Sequence, residues 1–139
     1  MAVSLTGQIA TALKASTTIT SLVPAGNIWS EQAPEGTTIP RILIKEIEEK
    51  QGNLMGTSKS LNRISFQVDC YAAGKEAARD IGIAVKNLIE NYTATYDSNN
   101  VIRGIINISQ KTVIDRNRPS DVKPVAKSTV EFLAFVEIG

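Results

Sequence analysis

The chain has no histidine, a single cysteine (Cys70), and only 5% aromatic residues. Structural zinc sites are built from Cys and His, so this composition all but removes them. The side chain most used in general acid–base catalysis is also missing. One cysteine forms no internal disulfide, which fits a reducing compartment. Scarce aromatics leave little material for a platform that stacks single-stranded bases. A basic excess is lacking too: 15 Lys plus Arg face 14 Asp plus Glu, net +1. Electrostatic binding to nucleic acid ordinarily rests on such an excess. No stretch approaches the roughly 18 consecutive apolar residues of a membrane span. The opening MAVSLTGQIATALKAS has no basic start leading into an apolar run, so it reads as an amphipathic helix and not a signal peptide. The expectation is a protein made and kept in a cytosol, with the sequons at Asn91 and Asn107 occurring by chance.

What is present is ordinary for a globular fold. Of 139 residues, 42% are hydrophobic and 21% charged. That size favours one domain, residues 1–139, burying roughly 70% of its unfolded-chain surface. No internal repeat or linker divides it.

Leu5, Ile9, Ala12 and Leu13 recur at helical spacing to about Ala15, with Ser4 placed to cap. A short turn carrying Ile19, Leu22 and Val23 ends at Pro24 and Gly26. Ile28-Trp29-Ser30 reads as a short strand. Residues 41–48 form an Ile-rich strand, with Ile42 and Ile44 on one side and Leu43 and Ile47 on the other. The alternation over 61–71 is the clearest in the chain: Ile64, Phe66, Val68 and Cys70 point inward. The main helix spans about 75–92, with an apolar stripe of Ala78, Ile81, Val85, Leu88 and Tyr92. TYDSNN, residues 95–100, is a turn-rich exit. Residues 101–114 form a long strand with Ile102, Ile106, Ile108 and Ile114 on one face. The last strand, 127–138, turns Val130, Phe132, Ala134, Val136 and Ile138 inward and Leu133 and Phe135 outward. Two polar loops, 48–60 and 115–125, separate strands. This order predicts an α+β fold: a mostly antiparallel sheet of four to five strands, one main helix and an N-terminal helix.

Searching for chemistry gives a negative result. Gly52 and Gly56 lack the Lys-Ser/Thr of a phosphate loop. Gly74 opens a helix after a strand, but AAGKEA has none of the glycine repetition that cradles a phosphate, so it reads as a structural joint. Glu46, Glu48 and Glu49 are flanked by Lys45 and Lys50, the pattern of a solvated, ion-paired face and not of a paired-carboxylate cleft. Asp69 is placed to cap the main helix or to pair with a basic neighbour. Serines have neither a Gly-x-Ser-x-Gly elbow nor a histidine to activate them. Cys70 sits in the inward register as an apolar packer. The expectation is no enzyme, no metal and no cofactor. The outward Leu43, Leu133 and Phe135 either meet a partner or lie under the first helix or the loops.

Two ordered patterns go further. AGNIWSEQAPEGTTIPRILI supplies Gly26, Ile28 and Trp29, then Ala33, Pro34 and Gly36, then Ile39 and Pro40. A strand then ends in Val68, Asp69, Tyr71 and Ala72 and feeds a helix with the paired Ala77 and Ala78. Together they resemble the tail-completion, or tail-terminator, proteins of long-tailed bacteriophages, and the likeness covers nearly the whole chain. The resemblance implies a ring-forming, non-catalytic α+β subunit, typically six to a ring, on the head-proximal end of the tail tube. Its implied partners are copies of itself, the tail tube protein and the head–tail connector. It implies no membrane and no specific nucleic acid, with DNA passing through the lumen. Its expected place is the virion, after assembly in the host cytoplasm. Another neck ring, or less readily a cellular module binding a small ligand or peptide, are the alternatives. Contacts are expected from the loops: Lys45, Glu46, Glu48, Glu49, Lys50, Leu54 and Met55 at the first, and Asp115, Arg116, Arg118 and Asp121 at the second.

Overall fold

In the computed structural model, the described residues are 5–32, 38–50, 60–90, 92–97, 100–116 and 125–138. Leu5–Ala15 forms α1 and Thr17–Thr20 forms α2. A 3₁₀ turn at Ala25–Asn27 leads into β1, Ile28–Ser30. β2 (Arg41–Lys50), β3 (Ser60–Ala73), α3 (Lys75–Ile89), β4 (Ala94–Asp97), β5 (Asn100–Arg116) and β6 (Val125–Ile138) follow. The six strands make one sheet in the order β1-β2-β3-β6-β5-β4. β1 runs parallel to β2, and every other pairing is antiparallel. The α+β expectation holds.

Local chemistry accounts for the elements. Ser16 caps α2 by accepting the Ile19 N–H at 3.4 Å. Gly74 joins β3 to α3 with φ of 90°, a left-handed geometry that glycine adopts without steric penalty. α3 ends at Ile89, one turn short of the expected Tyr92, because Glu90 has turned to ψ 126°. Tyr92 still packs on the core, and its hydroxyl accepts from Gln8 Nε2 at 3.0 Å, tying α1 to the end of α3.

Both long helices lie on one side of the sheet. Leu5, Ile9 and Leu13 of α1 share a core with Ala78, Ile81, Val85 and Ile89 of α3. Beneath them lie Ile42 and Ile44 of β2, Phe66, Val68 and Cys70 of β3, and Val130, Phe132 and Ala134 of β6. Phe66 and Phe132 are direct cross-strand partners, with rings stacked at 5.2 Å and 20°. Such pairs add about 0.5–1.5 kcal/mol to the stabilisation from burial.

Two expectations need correction. Residues 94–97, which take in the start of the TYDSNN exit, pair with β5 as a sixth strand. The isoleucines of β5 do not share a face. Ile102 and Ile105 are buried, whereas Ile106, Ile108 and Ile114 are exposed. The bulge at Ile102/Gly104 shifts the two-residue alternation by one and turns Ile106 to the far face, opposite Leu133. The bulge at Asn107/Ser109 shifts it back, so that Ile114 opposes Ala126 on the same face as Ile102.

Candidate assembly surfaces

No group of His, Cys, Asp and Glu among the described residues is placed to hold a metal. Cys70 is fully buried, and burial, helped by the charge of Asp69, pushes its thiol pKa far up. A thiol in that state is a packing group and not a nucleophile.

Asp69 departs from its expected role. α3 has no side-chain cap. The Asp69 carboxylate instead accepts Thr129 Oγ1 at 2.8 Å and Gln67 Nε2 at 3.1 Å, buried on the sheet face away from the helices. On that face Leu43, Tyr71, Leu133 and Phe135 are half-buried, and the Arg41 guanidinium stacks 4.3 Å over the Tyr71 ring. α1 does not cover this face, because it lies with α3 on the other side.

The charged residues near the first loop divide between the two faces. Glu46 and Glu49 oppose Phe66 and Ile64, so they point to the helix side. Lys45, Glu48 and Lys50 oppose Gln67, Ser65 and Arg63 and point to the far side. All five are exposed, and Lys50 Nζ lies 3.6 Å from Glu48 Oε1. Glu49 Oε2 accepts from Asn62 Nδ2 at 2.8 Å. Glu46 has a raised pKa through partial burial, then the charges of Glu49 and Glu31.

The second group sits elsewhere. Asp115 and Arg116 end β5, where Arg116 pairs with Val125 and Val125 with Ala73. Lys50 pairs with Arg63, ten residues back along β3 from Ala73. At about 3.3 Å per residue Lys50 and Arg116 stand roughly 33 Å apart along the strands, and Lys45 roughly 20 Å from Arg116. Leu54, Met55, Arg118 and Asp121 lie outside the described residues.

Sequence reasoning missed Glu31. It follows β1 with φ of 68°, and its backbone N–H bonds to the Ile44 carbonyl at 2.7 Å. Its Oε1 accepts from both Thr6 Oγ1 at 2.7 Å and the Glu46 N–H at 3.3 Å. A side chain thus replaces the next backbone acceptor and ends the β1–β2 pairing. No local pattern announces this, because the partners are 25 and 15 residues away.

The fold is similar to that of a chain in the virion of a native gene transfer agent particle, with a TM-score of 0.68. The likeness covers 93% of this chain and 91% of that one at 15% identity. No curated protein sequence matches. Residues 7–136 match the family described as tail completion protein gp17, the expectation drawn from the two ordered patterns, and the chain belongs to that family.

Proposed function

We propose that the chain caps the head-proximal end of a phage tail tube as a homo-oligomeric ring of six and joins it to the head connector. Family membership over residues 7–136 carries this reading and supports a structural part in a phage tail. The reading includes no catalysis, in keeping with a structural family. A virion particle as the source of the similar fold agrees with a place in the virion, reached after assembly in the host cytoplasm. The whole chain acts as one domain, and DNA passes through the lumen without being read.

Well-separated charged groups suit a ring subunit whose two loops each meet a different neighbour. Lys45, Glu46, Glu48, Glu49 and Lys50, with Leu54 and Met55, contact one neighbour. Asp115, Arg116, Arg118 and Asp121 contact another. Rim charges of this kind set register and encounter rate more than affinity.

Cryo-electron microscopy of virions tests the placement. The expected result is density for this chain between the last tube layer and the connector. Density confined to another neck ring or to the baseplate overturns it. Reversing the charges of Arg116 and Arg118 together is expected to lower tail joining and leave the circular dichroism spectrum unchanged.

A further inference from the structure

The sheet has two open edges. β1 covers β2 only from Ile42 to Ile44. Residues 45–50 of β2 have β3 on one side and, among the described residues, no strand on the other, with the Glu46 N–H already taken by Glu31 Oε1. Across the sheet, β4 pairs with β5 no further than Ile102. Residues 103–116 of β5 therefore also lack an outer strand among the described residues. An open edge is a row of backbone donors and acceptors that templates another strand.

The two edges lie at the same height. One cross-strand row runs Glu48–Ser65–Leu133–Ile106, and the next runs Glu46–Phe66–Phe132–Asn107. Both edges bulge beside these rows, at Ile47 and at Ile108. The three most exposed large hydrophobic residues among those described are Ile108 at 54%, Ile47 at 53% and Ile106 at 49%, and all three belong to these two stretches.

Their charges differ. The β2 edge holds Glu46, Glu48 and Glu49 with Glu31 beside them, against Lys45 and Lys50. The β5 edge holds Lys111 and Arg103, the latter ion-paired with Glu137 of β6, and has no acid of its own from 103 to 114. Next to it opens a groove of about 630 Å³ lined by Lys75, Glu76, Arg79, Asp80, Ile83 and Thr112.

We propose that residues 45–50 of one copy add as an antiparallel strand to residues 103–109 of the next, making the sheet continuous from copy to copy. This rests on the ring reading above. Three antiparallel steps separate β2 from β5, so the two strands run in opposite directions within one copy and stay opposed when copies stand side by side. A cyclic operator has no rise, so with strands along its axis it joins groups of equal height, as these are. Pairing β2 with β2 would oppose acids to acids. Pairing β5 with β5 would leave the acidic edge unused. The unlike pairing is head-to-tail, the kind that closes a ring.

Charges and bulges also blunt edges against any partner. That account fits residues 45–50. On β5, Arg103, Lys111 and the bulges do the same in part, but the edge also exposes Ile106, Ile108 and Ile114, which blunting alone does not account for.

Cross-linking tests the pairing in assembled tails, using Glu48→Cys and Ile106→Cys, separately and together, with a short bismaleimide. Buried Cys70 stays silent in the parent chain. The expected result is a ladder up to the full ring with the double variant, and monomer with either single variant. Dimers from a single variant would show like-with-like pairing and overturn the proposal. No ladder from a chain that electron microscopy sees in a ring overturns the edge pairing and leaves the ring reading standing. No ring at all overturns both. As a second measure, Ile106→Asp is expected to lower ring yield at least tenfold with an unchanged circular dichroism spectrum, and Ile106→Val to retain it. Equal yield from Ile106→Asp counts against the pairing.

Discussion

Gly82 of α3 stands against Ser128 of β6 so closely that a β-carbon on Gly82 would lie 2.5 Å from Ser128 Oγ and 3.2 Å from Ser128 Cβ. The same β-carbon would be 2.8 Å from Gln110 Nε2. The Ser128 hydroxyl is fully buried and engaged with Thr112 Oγ1 at 3.2 Å, so it has little room to withdraw. Alanine is intrinsically better in a helix than glycine by about 1 kcal/mol. Overpacking of this kind costs about 1–3 kcal/mol. Gly82→Ala is therefore expected to lower stability by about 1 kcal/mol in a urea titration. Adding Ser128→Gly should recover the steric part, seen as a positive coupling in the double-mutant cycle. A Gly82→Ala chain more stable than the parent would contradict the close approach.

Phe66 and Phe132 form the centre of the helix–sheet core, both fully buried. Phe132→Ala is expected to destabilise by about 3–5 kcal/mol, the usual range for emptying such a site. Whole domains are stable by only about 5–15 kcal/mol, so this loss removes a large share of the total and should lower the denaturant midpoint clearly. A cycle with Phe66→Leu and Phe132→Leu should give a coupling of about 0.5–1.5 kcal/mol. A coupling indistinguishable from zero would mean the stacked geometry adds nothing to burial.

These two sites show how far local pattern carries. Alternation across Ile64, Phe66, Val68 and Cys70 gave the inward face of β3 correctly, because a strand with one buried face must place its apolar groups every second residue. The same logic failed on β5. A bulge leaves no mark in the residue types around Arg103 and Ile108, yet it exchanges the faces of the residues beyond it until the next bulge. Lys45 and Glu46 could be recognised as a charged strand end from sequence. That they lie on an open edge could not, because this depends on β1 stopping at Ser30 and on strand order, which are set across the whole sheet. Glu31 was invisible for the same reason.

Cys70 offers a check on burial that is independent of stability. Its thiol is inaccessible and its pKa is pushed up by burial and then by Asp69. Only thiolate reacts at useful rates, so the folded chain should be inert to a disulfide reagent at neutral pH. In concentrated guanidinium the expected result is one thiol per chain reacting completely. Rapid labelling of the native protein would place Cys70 outside the core and reverse the inward reading of β3.

Glu46 makes folding pH-dependent in a defined direction. Partial burial raises its pKa first, and the neighbouring Glu49 and Glu31 add to the rise. The folded chain then holds this proton at pH values where the unfolded chain has released it. Stability from this group is greatest below the ordinary carboxylate range and is lost as pH rises through the folded-state value. Glu46→Gln keeps the backbone N–H that Glu31 accepts but removes the charge. The variant is expected to be more stable than the parent near neutrality and equal to it at about pH 3, where carboxylates are largely protonated. Denaturant titrations across that range, on chains dilute enough to stay dispersed, measure the difference. A variant less stable than the parent at neutral pH would show that the Glu46 carboxylate makes a favourable contact outweighing its repulsion from Glu49 and Glu31.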